Sequence, residues 1–104
     1  MSDNNKSNKP QLNIQLDEDI ANGSYSNLVV INHSATEFVF DFVSVMPGVP
    51  KSKVKSRMIL APVHAKRLLR ALSENIKRYE SAHGSIKDDQ QQNIPLNFGP
   101  AAEA

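Results

Sequence analysis

The chain has 104 residues, room for one domain whose core is barely large enough to stand alone, so self-association is expected. Hydrophobic residues make up 39% and charged residues 22%, the balance of a globular chain, and the absence of Cys excludes a disulfide framework, a thiolate metal site and a cysteine nucleophile. The formal net charge of +1 conceals a split: residues 11–50 hold Asp17, Glu18, Asp19, Glu37 and Asp41 with no Lys or Arg, while residues 51–80 hold nine cations against Glu74 and Glu80, which implies a two-sided electrostatic surface.

Residues 1–10 (MSDNNKSNKP) are polar throughout, contain no apolar run of the kind a secretion signal needs, and are expected to form a disordered arm. No stretch of the chain approaches membrane-spanning length, and the expected compartment is the cytoplasm. Leu12, Ile14 and Leu16 alternate with polar neighbours, which is the period of a short half-buried strand, and the acidic run before Asn22-Gly23 ends it in a turn. Residues 27–32 (NLVVIN) and 37–45 (EFVFDFVSV) carry the clearest strand signals, and the short polar link His33-Ser34-Ala35-Thr36 makes them an antiparallel hairpin. In the second of these strands Phe38, Phe40 and Phe42 share one face, while Val39, Asp41, Val43 and Val45 share the other. Both faces are apolar, so either a helix covers one and another subunit the other, or the strand is central in a small barrel.

Residues 46–53 (MPGVPKSK) end that strand in a mobile loop, and residues 54–60 (VKSRMIL) read as a further strand with Val54, Met58 and Leu60 inward and Lys55 and Arg57 outward. Pro62 suits the first turn of a helix, and Ala65, Leu68, Leu69, Leu72, Ile76 and Tyr79 recur at steps of three and four up to about His83, where Gly84 is placed as a stop. After Gly84 the chain turns polar, and residues 87–104 are expected to be a disordered tail, although Ile94, Leu96 and Phe98 alternate and could dock as an extended peptide. The expected fold is therefore α+β: a four-stranded antiparallel sheet followed by one long C-terminal amphipathic helix laid across it, a single domain over residues 11–86.

No set of residues carries chemistry. His33, His64 and His83 each lack a second ligand at i+3 or i+4, so no metal or cofactor is expected. Glu37 and Asp41 are four apart in a strand and share a face instead of flanking a substrate; Asp41 is expected either to pair with a base such as Arg57 or to lie at a subunit contact. An enzyme would need His33, Asp41 and His64 to converge, and no catalytic residue is assigned. The cations Lys51, Lys53, Lys55, Arg57, Lys66, Arg67, Arg70, Lys77 and Arg78 form the candidate binding surface, with two open readings: a solvated face including a Glu74–Arg78 pair, or a footprint for phosphates or an acidic protein. Nucleic acid is the weaker possibility, because aromatic residues are 6% of the chain and the phenylalanines read as core. Asn75 borders the apolar stripe and is expected to close an interface.

The strings NHSATEFVFDFVSVMPG (residues 32–48) and PVHAKRLLRALSENIKRYE (residues 62–80) resemble those of a bacterial and archaeal family of proteins of about 100 residues, a domain of unknown function. The resemblance assigns no activity, cofactor or catalytic residue. Some members of that family lie in gene neighbourhoods of the large RNA polymerase subunits, which implies a partner in the transcription machinery. The layout of four antiparallel strands and a long helix is also similar to that of the export chaperone SecB and of small single-strand-binding transcription cofactors, as analogies of fold alone. The expected function is a non-enzymatic, homo-oligomeric interaction module that docks on a protein or nucleoprotein partner. The alternative is a SecB-like chaperone that holds unfolded chains in apolar grooves, with the loop at residues 46–53 as a lid.

Overall fold

The structure, a computed structural model, describes residues 11–88 apart from Val49 and Lys51. The expectations for the arm at residues 1–10, for Lys51 and for the tail beyond residue 88 lie outside the described residues. The chain divides into two compact units, Met1–Pro62 and Val63–Ala104.

The first unit opens with residues 11–17, which form no regular structure, and a single helical turn, α1 (Glu18–Ala21). Glu18 and Asp19 in that turn lie where the helix dipole favours anions, and Gly23 (φ 74°) closes it by donating its N–H to the Ile20 carbonyl at 3.0 Å. Three antiparallel strands follow, β1 (Leu28–His33), β2 (Phe38–Ser44) and β3 (Lys53–Leu60), in the order β1-β2-β3. The expected hairpin is formed. Its link is tied by the Ser34 N–H donating to the Glu37 carbonyl (2.9 Å) and the Thr36 N–H donating to Ser34 Oγ (3.2 Å). His33 is the last residue of β1 and stacks on Phe38, its partner in the ladder, at 5.2 Å between ring centres.

The α+β class is as expected, but the sheet has three strands among the described residues where four were expected. Residues 11–17 have the alternation of a strand, and their Leu12, Ile14 and Leu16 are exposed. Alternation defines a face; a strand also needs a neighbouring edge to take its N–H and C=O groups, and among the described residues none is paired with this segment.

Register assigns the faces. Val39, Asp41 and Val43 of β2 lie opposite Asn32, Val30 and Leu28 of β1, and opposite Ile59, Arg57 and Val54 of β3. Phe38, Phe40 and Phe42 share the other face with His33, Ile31 and Val29, and with Leu60, Met58 and Ser56. Between Phe42 and Val43 the register shifts, so that Lys55 is an extra residue in β3 with no partner in β2. This bulge moves Val54 onto the face of Arg57, which corrects the expected grouping of Val54 with Met58 and Leu60. Among the described residues the buried apolar side chains are Phe40 on one face and Val43 on the other, each 7% exposed.

The second unit is built on α2 (Pro62–His83). Pro62 begins it, where a missing N–H leaves nothing unsatisfied, and Gly84 (φ 90°) ends it by donating its N–H to the Glu80 carbonyl at 2.9 Å. The Glu80 side chain then accepts the Ile86 N–H at 2.9 Å, which turns the following residues back against the helix. Among the described residues none of α2 is buried. Leu68 is 42% exposed, Leu69 64%, Leu72 52%, Ile76 38% and Tyr79 53%.

Candidate functional site

The centre of the sheet holds one charged pair. Asp41 and Arg57 are directly opposite in the β2–β3 ladder, so their side chains rise side by side from the same face. Arg57 donates from Nε to Asp41 Oδ1 at 2.6 Å and from Nη2 to Oδ2 at 2.8 Å, a two-pronged contact between planar groups. Asp41 has no exposed side-chain surface, while 45% of the Arg57 side chain is open to solvent. The hydrogen bonds from Arg57 hold the Asp41 carboxyl below the usual carboxylate range; burial acts in the opposite sense and the cation's charge adds to the lowering. The same contact raises Arg57. Of the two roles expected for Asp41, pairing with Arg57 is the one the geometry shows, and two of Arg57's donors are thereby occupied inside the sheet.

The remaining expected cations divide between the units. Lys53 and Lys55 lie on β3, Lys55 at the bulge, and both are exposed. Lys66, Arg67, Arg70, Lys77 and Arg78 lie on α2 and are all exposed. Among the described residues Asp41–Arg57 is the one ion pair within 4.0 Å, so the expected Glu74–Arg78 pair is not formed. Asn75 donates from Nδ2 to the Ala71 carbonyl one turn back at 2.9 Å, and its side chain is exposed. It lines a shallow open groove with Ile76, Tyr79 and Ile86, while His83 tilts against Tyr79 at 4.8 Å between ring centres. Sequence reasoning missed this groove, because Ile86 lies beyond the stop at Gly84. Among the described residues no three His, Cys, Asp or Glu side chains gather as a metal site would require, and no helix is long and apolar enough to cross a membrane.

A family model described as "Protein of unknown function (DUF3467)" matches residues 1–88, which is most of the chain. The chain belongs to this family. The expected membership is therefore shown, and the DUF3467 description carries no activity with it. No curated protein matches the chain, and no solved structure matches it.

Proposed function

We propose that the chain is a non-enzymatic interaction module that docks on an acidic protein or nucleoprotein partner, through the cations of α2 aided by Lys53 and Lys55 of β3. The observation that supports this is the exposure of all five α2 cations without an acidic partner within 4.0 Å among the described residues. Cations free of internal partners retain their field for an approaching anion, which speeds and orients encounter. The transcription machinery is the partner class suggested by the family's gene neighbourhoods, and the cytoplasm the compartment that goes with it. In this reading α2 is amphipathic, with a cationic side for the partner and an apolar side for a subunit contact.

The test is recovery of the tagged chain from its own cells at low and high salt, with and without nuclease. Screening shortens from about 10 Å at 0.1 M salt to about 3 Å at 1 M. A partner held by these cations is recovered at low salt and lost at high salt; nuclease removes it only if nucleic acid is the bridge. Recovery indifferent to salt would count against the reading. One observation favours the chaperone alternative, the exposure of Leu68, Leu69, Leu72 and Tyr79. A chaperone would capture unfolded chains equally well in high salt, and failure to suppress the aggregation of any client would remove it.

A further inference from the structure

The β1–β2 ladder fixes which backbone groups of β1 have no partner in the sheet. One step beyond the His33–Phe38 pair, Ser34 donates its N–H to the Glu37 carbonyl, so Ser34 and Glu37 are a hydrogen-bonded pair. Such pairs recur at every second residue of an antiparallel ladder, so Asn32, Val30 and Leu28 turn their N–H and C=O groups toward β2. Val29, Ile31 and His33 turn theirs outward, along an edge to which no strand is bonded among the described residues. The stacking of His33 on Phe38 agrees, since the pairs without hydrogen bonds bring their side chains closer. The two edges of the sheet differ in kind. β3 carries Lys53, Lys55 and the bulge at Lys55, features that keep an edge from taking up another strand. β1 (LVVINH) has no Lys, Arg, Asp, Glu or Pro, and its register with β2 is unbroken.

We propose that β1 pairs antiparallel with β1 of a second copy of this chain, about a twofold axis at Ile31, so that two three-stranded sheets join into one. A row of backbone donors and acceptors at strand spacing takes an extended chain, and a twofold contact requires that chain to offer the same row reversed. With Ile31 opposite Ile31, Val29 of each copy stands opposite His33 of the other, and every outward N–H and C=O of β1 meets its counterpart. The neighbouring registers fail this condition. A twofold at Val30 would set His33 against Asn27, whose N–H is already given to the Val43 carbonyl at 3.1 Å. A twofold at Asn32 would set Val29 against Ala35, in the link beyond the end of the strand. The side chains agree with the register at Ile31. On the phenylalanine face Ile31 meets Ile31 and Val29 meets His33; on the other face Val30 meets Asn32, and no like charges are opposed. The contact lies within the first unit and uses neither α2 nor a cation, so it does not rest on the partner-binding reading.

The full-length chain contains no Cys, which makes single-cysteine cross-linking unambiguous. Opposed residues of a hydrogen-bonded pair stand about 5.5 Å apart at Cα, within disulfide reach. Ile31→Cys should form a disulfide dimer under mild oxidation, while Met58→Cys, on the other edge strand, should not. Val29→Cys alone should stay reduced, because its two copies would stand about 14 Å apart along the strand direction; mixed with His33→Cys it should cross-link. Light scattering should give the unmodified chain twice its 11.5 kDa mass. Ile31→Pro should halve that mass while the Asp41 amide, which faces β1, keeps its slow hydrogen exchange, because the N–H removed is not used by β2. Ile31→Lys, which keeps the backbone N–H, should halve the mass in the same way. A monomeric mass for the unmodified chain overturns the proposal, and so does equal cross-linking at residues 31 and 58. An Ile31→Cys chain that stays reduced overturns it as well, even with the Val29, Ile31 and His33 amides slow to exchange, because the edge would then belong to another strand such as residues 11–17.

Discussion

Asp41 is the residue at which solvent, charge and packing compete most directly. Its carboxylate has lost all contact with water, and it stays ionised because Arg57 supplies two hydrogen bonds with charge behind them. A carboxyl whose folded pKa is lowered adds stability that is fully present above its unfolded value, near about 3.9, and is lost as pH falls through the folded value. Asp41→Asn should therefore destabilise the sheet by about 2 kcal/mol at neutral pH, the scale of hydrogen bonds to a charged group. The difference from the unmodified chain should shrink as pH falls below about 4, where the unfolded chain's carboxyl takes up its proton while Arg57 still holds the native one ionised. Urea unfolding at pH 7 and pH 3 checks both statements, and an undiminished loss at pH 3 would show that charge is not the source. Replacing both partners at once, Asp41→Leu with Arg57→Met, should recover much of the stability, because an apolar pair strands no buried charge.

At the scale of elements, the open end of the hairpin is fastened by a side chain. Asn27 precedes β1, and its amide donates to the Val45 carbonyl at 2.9 Å while its carbonyl oxygen accepts the Val45 N–H at 2.8 Å. The side chain thus copies the two bonds of a ladder pair one step beyond the sheet, and Ser26 Oγ adds a bond to the Val43 carbonyl at 2.9 Å. Asn27→Ala should cost about 1 kcal/mol, since the freed groups are exposed and can turn to water. It should also speed hydrogen exchange of the Val45 amide far more than that of Phe40 at the sheet centre. Asn27→Asp, which keeps the acceptor and loses the donor, should fall between. The hairpin and α2 were legible in the sequence because their signals are local: β-branched runs around a short polar link, and a stripe bounded by Pro62 and Gly84. The strand expected at residues 11–17 was not, because pairing depends on a distant edge. The bulge at Lys55 was hidden for a related reason, since an extra residue in β3 is defined only by its alignment with β2. Asp41–Arg57 was legible as soon as two strands were placed side by side; the Asn27 clasp left no pattern beyond a polar residue before an apolar run.

For the whole molecule, the proposed binding depends on where the charge lies. Residues 11–50 hold acidic residues and no Lys or Arg, while Lys66, Arg67, Arg70, Lys77 and Arg78 are all exposed on α2. Changing these five cations to Gln removes the field that would draw an anionic partner to the helix and leaves its apolar residues untouched. That variant should keep its helicity by circular dichroism and lose the salt-sensitive recovery of a partner from cells. Changing Lys53 and Lys55 alone to Gln should lower the salt concentration at which the partner is released without abolishing recovery, because two of the seven charges are removed. The ordering of the salt midpoints is the measurement: unmodified chain highest, the two-Gln variant lower, the five-Gln variant without retention. Retention by the five-Gln variant would move the partner's contact off α2 altogether.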